Sequence, residues 1–497
     1  VSDSSRPLGS LLQGVAGHVD YRECSPDLLV GDVQTDSRRV GEGDVFVAIV
    51  GEHHDGHAFA DRVREAGAAA VVVSRGTGIS GPRVEVDDTA DAIAEIAANA
   101  YGRPGDHLRL AGITGTNGKT TAAHLVGAIL QQAGRLHARL GTTGNWIVDH
   151  ESTAGYTTPF PLELQALLAD ARARGGTDVV MEVSSHALAQ GRARPLSFTA
   201  VGLTSFSQDH LDFHDTMEAY LRAKCRLASE HLRADGVAVA AVDDQPAATT
   251  FLAAAGRATT WRASRGSDPH AEIRLSNVEA SATGMSARMH TPAGAFDLRT
   301  PLVGGFNLDN LMVATGLALG LGVELEAIEA ALASTRGAPG RLERVVADGV
   351  NGPLVLVDYA HTPDAVDRAI AAARNVCPRR LVVLLGCGGD RDRTKRPLMG
   401  AVAAAGADQL WATSDNPRTE DPERILDDML EGVAAEHRAG VQRVADRARA
   451  IAEAIAGAHD DDLVLILGKG HEDYQVLGTT KIHFDDREHA AQALARR

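Results

Sequence analysis

The sequence predicts an α/β protein built from three units. Short apolar runs of strand length alternate with helical stretches along most of the 497 residues, as βαβ units require. Several runs, among them TDVVMEV (177–183) and DLVLILG (462–468), are apolar at consecutive positions. Such runs suit strands buried on both faces of a parallel sheet. At roughly 150 residues per domain, the length points to about three domains.

Composition narrows the class further. Apolar residues are 44% and charged residues 23%, which excludes disordered and collagen-like chains. Fifty-one glycines against 4% aromatics suit an Ala/Val/Leu-filled α/β core with many turns. Net charge is 49 − 66 = −17, which argues against a broad nucleic-acid surface. Any anion must therefore be bound by local donors. Cysteines 24, 225, 377 and 387 form no CxxC pair, so no disulfide framework or zinc site is expected. VSDSSRPLGSLL lacks a charged-then-apolar leader. No apolar run approaches the roughly 20 residues that span a bilayer. A cytoplasmic protein without membrane insertion is expected.

The first unit, 1–104, holds the β-like runs DVFVAIVG (44–51) and AAAVVVS (68–74), then a helix from Asp88 to Ala100. The Gly/Pro loop YGRPGDH (101–107) ends it. In the second unit, 105–335, the strand LRLAGIT (108–114) runs into GTNGKTT (115–121) and a helix to about Ala133. TDVVMEV and FTAVGLTSF (198–206) are further buried-type strands. Residues 270–303 switch to period-2 pieces separated by Gly and Pro, as in antiparallel strands, and a helix near 308–321 follows. RGAPGR (336–341) is the second boundary. The third unit, 336–497, places strands at LVLVDYA (354–360), RRLVVLLG (379–386), DQLWATS (408–414) and DLVLILG, again alternating with helices.

GTNGKTT is the strongest local signal. A strand, a Gly-containing turn and a helix opening on Lys-Thr form an anion cradle, with backbone N–H groups of Gly115, Thr116, Asn117 and Gly118 facing phosphates. Lys119 can reach the outer phosphates, and the Thr120 hydroxyl, followed by Thr121, can ligate Mg²⁺. The pattern departs from G-x-x-x-x-G-K-[ST], because Ile113 stands where the first Gly belongs.

Two polar segments follow buried-type strands, at the crevice where open α/β sheets bind ligands. In MEVSSHALAQGR (181–192), Glu182 could offer oxygen to Mg²⁺ or sit in a structural ion pair. A Ser/His nucleophile is disfavoured there, because the flanks are not G-x-S-x-G. SQDHLDFH (207–214) packs Asp209, His210, Asp212 and His214 together, which suits either a divalent metal or a solvated polar loop. In AYLRAKCRL (219–227), Lys224 faces the same way as Tyr220 on a helix, where the default reading is a surface cation.

With these in order stand TDSR (35–38), YTTP (156–159), GGFNLDN (304–310), GRLE (340–343), DYAHTP (358–363), GCGGDRD (386–392), DNPRTE (415–420) and GKGHE (468–472). The set, spanning essentially the whole chain, resembles the Mur ligase family. These enzymes build the cytoplasmic peptide of peptidoglycan by ATP-driven amide formation. The resemblance implies a small N-terminal α/β domain that binds UDP, a central P-loop mononucleotide-binding parallel-sheet domain and a C-terminal Rossmann-like domain.

It also implies roles residue by residue. Lys119 and Thr120 would hold ATP phosphates and Mg²⁺, with Glu182 and His210 as metal ligands. Lys224 resembles the family's carbamylated lysine, a carboxylate-like magnesium ligand. Asn307, Arg341, Asp358 and His361 lie in segments that hold the nucleotide. Thr35 and Ser37, with Glu52, His53 and His54 of the loop EHHDGH (52–57), would hold the uridine end of the substrate. A substrate loop with solvated histidines is favoured over a nickel or zinc cluster of His53, His54 and His57. Thr157, Thr158, Ser184, Gln190 and Arg192 would hold the muramoyl-dipeptide.

DNPR carries the choice of amino acid. Asn-Pro fixes a turn after a strand and presents Arg418, whose planar guanidinium can grip a carboxylate with two hydrogen bonds. Lysine-adding relatives lack this Arg, so the resemblance implies meso-diaminopimelate, which carries a carboxylate at its far end. Asp415, Asn416 and Pro417 would frame that site, Arg391 would add a carboxylate contact, and Glu472 with Gly468 would meet the distal ammonium. A structural Arg418, capping a helix or paired with Glu420, is the alternative. The implied substrates are UDP-N-acetylmuramoyl-L-alanyl-D-glutamate, ATP and meso-diaminopimelate, with Mg²⁺ as cofactor and a monomeric enzyme. Rival readings are a lysine-adding Mur ligase, a folylpolyglutamate synthase-like ligase and a P-loop protein that only senses nucleotide.

Overall fold

A computed structural model describes residues 5–51, 54–243, 245–281, 283–347 and 352–497. The chain packs as two compact units: residues 1–273 with 312–328, and 274–311 with 329–497.

The first unit begins with a five-stranded sheet ordered Val19–Arg22, Arg83–Val86, Ala70–Ser74, Val45–Val47 and Val33–Gln34. Its pairs are parallel except the first. The apolar run 68–74 folds as Ala70–Ser74, and its valines are buried. The helix expected from Asp88 is Thr89–Ala100, with the Asp88 carboxylate accepting from Ala90 N at 2.8 Å, an N-cap that satisfies an orphan donor. Its apolar face, Ala92, Ile93 and Ile96, closes the core over Val72 and Val84.

The rest of this unit is a larger sheet. Arg109–Thr114 lies between Asp178–Glu182 and Phe198–Leu203, and all three run parallel. His137–Leu140 extends the sheet on one side, and Leu232–Ala241 and Thr259–Ser264 on the other. Because the three central strands are parallel, the loops after residues 114, 182 and 203 emerge at one end. That end carries GTNGKTT, VSSH and SQDH.

In the second unit the period-2 stretch folds as an antiparallel meander, Gly284–Thr291 pairing with the segment before it and with Gly294–Thr300. A six-stranded sheet follows, ordered Glu343–Val345, Leu354–Asp358, Leu463–Leu467, Leu381–Leu385, Gln409–Ala412 and Val441–Arg443. Only the first pair is antiparallel. The consecutive apolar residues are explained by two cores. Leu381, Val383, Leu463 and Leu465 pack under helices Pro363–Val376 and Lys395–Gly406. Val382, Leu384, Val464 and Ile466 pack under Arg447–Ala456 and Asp486–Ala495. A hairpin, Tyr474–Leu477 with Thr480–His483, completes the unit. Among the described residues, no helix is long and apolar enough to cross a membrane.

Candidate active site

The phosphate loop is a backbone cradle held from below. Helix Lys119–Gln132 opens from Gly118, which takes φ +88°, a conformation that favours glycine. Thr116 N donates to Ser205 O at 2.8 Å, and Asn117 N to Ser205 Oγ at 2.9 Å. Thr204 and Ser205 hydroxyls both donate to Asn117 O. Thr116 Oγ1 meets Ser207 O at 3.1 Å and Tyr220 Oη at 3.2 Å. Thr204, Ser205 and Ser207 thus set the loop's shape, a role the sequence reading missed. Its signal was their place at the end of a strand adjoining the loop's own.

Lys119 Nζ donates to Gly115 O and Thr116 O at 2.8 and 2.9 Å, curled over the loop. Lys224 does not behave as a surface cation. It is buried, its Nζ donates to the same Gly115 O at 2.9 Å and lies 4.3 Å from the Tyr220 ring. Burial, aided by Lys119, holds its amine well below the usual lysine range.

Glu182 ends its strand buried, with Oε2 accepting from Thr120 Oγ1 at 3.0 Å. Thr142 reinforces it through N at 2.9 Å and Oγ1 at 3.2 Å. Thr142 was not foreseen, although GTTG (141–144) is a Gly-bounded turn after a strand. Two hard oxygen donors this close fit Mg²⁺. His210 is exposed instead. Its ring lies 4.7 Å from that of His186 and its Nε2 3.4 Å from Asp209. Among the described residues, His, Cys, Asp and Glu side chains nowhere gather in a group of three fit to hold a metal.

Beside Glu182, the structure brings YTTP onto the segment 184–192. Thr158 Oγ1 donates to Glu182 O at 2.9 Å and accepts from Ser184 N at 3.0 Å. Thr157 Oγ1 meets Thr142 Oγ1 at 3.1 Å. The Arg192 guanidinium donates to Thr158 O at 2.9 Å and to Gln190 Oε1, and lies 3.9 Å from the centre of the Phe160 ring.

In the first sheet's loops, Thr35 is exposed and Ser37 half-buried, flanking Asp36, which Arg38 pairs at 2.7 Å. Glu52 and His53 lie outside the described residues. His54 is exposed, but His57 is not the solvated side chain expected. It is buried, with Nδ1 2.7 Å from Asp55 and Nε2 accepting from Ser74 N at 3.0 Å. Those bonds make it part of the loop's frame.

In the second unit GRLE, DYAH and GKGHE converge. Gly340 packs so closely on Gly470 and His471 that a methyl group there would collide with their backbone. Asp358 accepts from Leu342 N and Ala360 N at 2.8 and 2.9 Å, and Gly468 N donates to Asp358 O. Arg341 lies 5.0 Å over the Tyr359 ring, and His361 and His471 also flank that ring. Asn307 is buried and structural in its bonds, donating to Val303 O and accepting from Asn310.

Arg418 sits at φ +51°, held by its N donating to Val476 O at 3.0 Å and its O accepting from Gly478 N. Its Nη1 donates to Gly389 O at 2.7 Å. The alternative pairing with Glu420 is not formed, because Arg396 and Arg393 occupy that carboxylate. Asn416 Nδ2 donates to Glu472 Oε2 at 2.9 Å. Lys469, fully buried and not foreseen, lies 3.4 Å from Glu472 and 3.6 Å from Asp415. Pro417 is buried, and Arg391 is exposed with Nη1 on Asp390 O.

Family models match three segments: the Mur ligase family catalytic domain at 30–101, the Mur ligase middle domain at 113–318 and the Mur ligase glutamate ligase domain at 340–470. The chain belongs to the Mur ligase family. This Mur ligase is 44% identical to a UDP-N-acetylmuramoyl-L-alanyl-D-glutamate–2,6-diaminopimelate ligase of Parasynechococcus marenigrum (strain WH8102), over 99% of each chain. It is 45% identical to the ligase of the same name from Gloeobacter violaceus, over 95% of each. A solved structure of an enzyme with that name superposes with TM-score 0.73 at 31% identity, covering 99% of both chains. A folylpolyglutamate synthase of Mycobacterium tuberculosis complexed with ADP shares the fold, with TM-score 0.60 at 21% identity over 76% of this chain and 91% of that one. This Mur ligase therefore has the family's three-domain α/β architecture and is an enzyme of the ligase class.

Proposed function

We propose that this Mur ligase joins meso-diaminopimelate to UDP-N-acetylmuramoyl-L-alanyl-D-glutamate with ATP, in peptidoglycan precursor synthesis. The observation that carries the reading is end-to-end identity of about 44% with diaminopimelate-adding ligases, joined to an Arg418 whose guanidinium is left unpaired with Glu420. The three domains expected from the sequence, 1–104, 105–335 and 336–497, would divide the ligands as uridine, ATP and amino acid.

In the first step the D-Glu side-chain carboxylate oxygen attacks the γ-phosphorus of ATP. The bond to the ADP oxygen breaks and an acyl phosphate forms. In the second step the diaminopimelate amine attacks the acyl carbon, phosphate leaves, and the nitrogen gives up a proton as the amide forms. Both reactants of the first step are anions. The cradle's N–H groups and Lys119 would offset that repulsion and hold the phosphates in line. Thr120 and Glu182 would hold Mg²⁺, with His210 and a carbamylated Lys224 as further ligands. Bound Mg²⁺ would supply charge neutralisation at the phosphoryl oxygens.

Thr157, Thr158, Ser184, Gln190 and Arg192 would hold the muramoyl-dipeptide beside Glu182, so that its carboxylate meets the phosphate loop. Arg341, Asp358, His361 and Asn307 would frame the nucleotide. Thr35, Ser37 and the 52–54 loop would take the uridine. Arg418, with Arg391, would grip the distal carboxylate of diaminopimelate, and Glu472, beside Gly468, its ammonium. Mass spectrometry of the nucleotide-peptide after incubation with ATP and diaminopimelate tests the reading. A product heavier by one diaminopimelate less water is expected, and an unchanged nucleotide-peptide would refute it.

A further inference from the structure

The proposed amino-acid site hangs on two strands that are not neighbours. Gln409–Ala412 leads into DNPR and Leu463–Leu467 into GKGHE, with Leu381–Leu385 between them. Both pair with that middle strand and not with each other, so no ladder hydrogen bond joins the two strand ends directly. Side chains tie the two segments: Asn416 donates to Glu472 and Lys469 lies between Asp415 and Glu472, while Arg447 holds the strand ends themselves. Arg447 donates from Nη1 to Ser414 O at 3.1 Å and from Nη2 to Leu467 O at 3.0 Å. Each acceptor immediately precedes a ligand segment: Ser414 before Asp415, Leu467 before Gly468. The remaining edge of the guanidinium is held by Asp486, Nε to Oδ1 at 2.7 Å and Nη2 to Oδ2 at 2.6 Å. Both side chains are fully buried.

The placement is not one that helix stability would select. Asp486 opens helix Asp486–Ala495, where the dipole favours an anion, but Arg447 opens helix Arg447–Ala456, where it disfavours a cation. A buried ion pair is also a weak source of stability compared with apolar packing. What the pair does provide is a rigid planar fork of fixed span.

We propose that Arg447, oriented by Asp486, is a positioning residue for the amino-acid substrate. It holds the strand ends that lead into DNPR and GKGHE and so, together with the Asn416–Glu472 bond, keeps Arg418 and Glu472 at the spacing of the carboxylate and ammonium at one end of diaminopimelate. This rests on the functional reading above. Arg447→Lys keeps the charge but cannot reach both carbonyls and Asp486 together, and Asp486→Asn keeps the shape while weakening the hold on the fork.

Steady-state kinetics of the full-length variants, with thermal melts alongside, test it. Either variant should raise KM for diaminopimelate roughly tenfold or more, the scale of one lost charge-assisted hydrogen bond. KM for ATP and for the nucleotide-dipeptide, and kcat at saturating diaminopimelate, should stay within about twofold. An unchanged KM for diaminopimelate in a folded variant, or a common rise in KM for all three substrates, would overturn the proposal. Failure of both variants to fold would assign the pair to stability alone and overturn it equally. Absence of diaminopimelate-dependent turnover in the unmodified enzyme would instead sink the functional reading, and that result is visible before any variant is made.

Discussion

Lys119 and Lys224 donate to one acceptor: both Nζ atoms reach Gly115 O, at 2.8 and 2.9 Å. Two ammonium groups on one carbonyl repel, and Lys224 is the buried one. Its amine is therefore the one driven toward neutrality. A neutral amine can add to the carbon of carbon dioxide and lose one N–H proton to solvent, and the resulting carbamate would face Lys119 with a negative charge, turning repulsion into attraction. Activity should fall in carbon-dioxide-depleted buffer and return with bicarbonate, and Lys224→Arg should be inactive under both conditions. Activity indifferent to bicarbonate would count against a carbamate.

Glu182 is held by hydroxyls of Thr120 and Thr142 and by the Thr142 N–H. Glu182→Gln keeps the shape and removes the charge. The Mg²⁺ concentration for half-maximal turnover should rise roughly 10–100-fold, the usual cost of disturbing a metal's surroundings. An unchanged magnesium titration would remove Glu182 from the metal's neighbourhood.

Arg418→Ala should raise KM for diaminopimelate by about 10–100-fold, matching the loss of a charge-assisted pair, with KM for ATP nearly unchanged. The fold should survive, since the side chain is only half-buried and its short bond is a single one to Gly389 O. Unaltered amino-acid kinetics would refute its role.

His471 gives a pH dependence with a definite sign. Burial, then Arg341 and Arg487, push its pKa down to about 4. The unfolded chain, with an ordinary histidine near 6.5, binds a proton that the folded protein refuses. Stability is therefore fully present above about pH 6.5 and is lost as pH falls toward about 4, by roughly 1–3 kcal/mol. Chemical denaturation at pH 7 and pH 5 should show this loss, and His471→Asn should reduce it. A pH-independent difference between the variant and the parent would contradict it.

Much of this was legible before the structure. Consecutive apolar residues marked strands such as Leu381–Leu385 because both sheet faces are covered, and each strand-end motif follows from where parallel strands must deliver their loops. The positions of Glu182 and Thr120 at that end of the sheet were readable for that reason. The bond from Thr142 to Glu182 and the Arg447–Asp486 pair were not, because those partners lie about 40 residues apart in sequence, and the burial of Lys469 depends on Asp415, which is just as remote. His57 misled for the opposite reason: it sits in a polar, histidine-rich loop, yet two hydrogen bonds allow it to be buried.

Amino-acid-dependent phosphate release tests most directly whether this Mur ligase consumes ATP to add diaminopimelate. With UDP-N-acetylmuramoyl-L-alanyl-D-glutamate and ATP present, diaminopimelate should drive phosphate release and lysine should support far less. Equal or greater release with lysine would contradict the role given to Arg418, and no release with either amino acid would contradict the function itself.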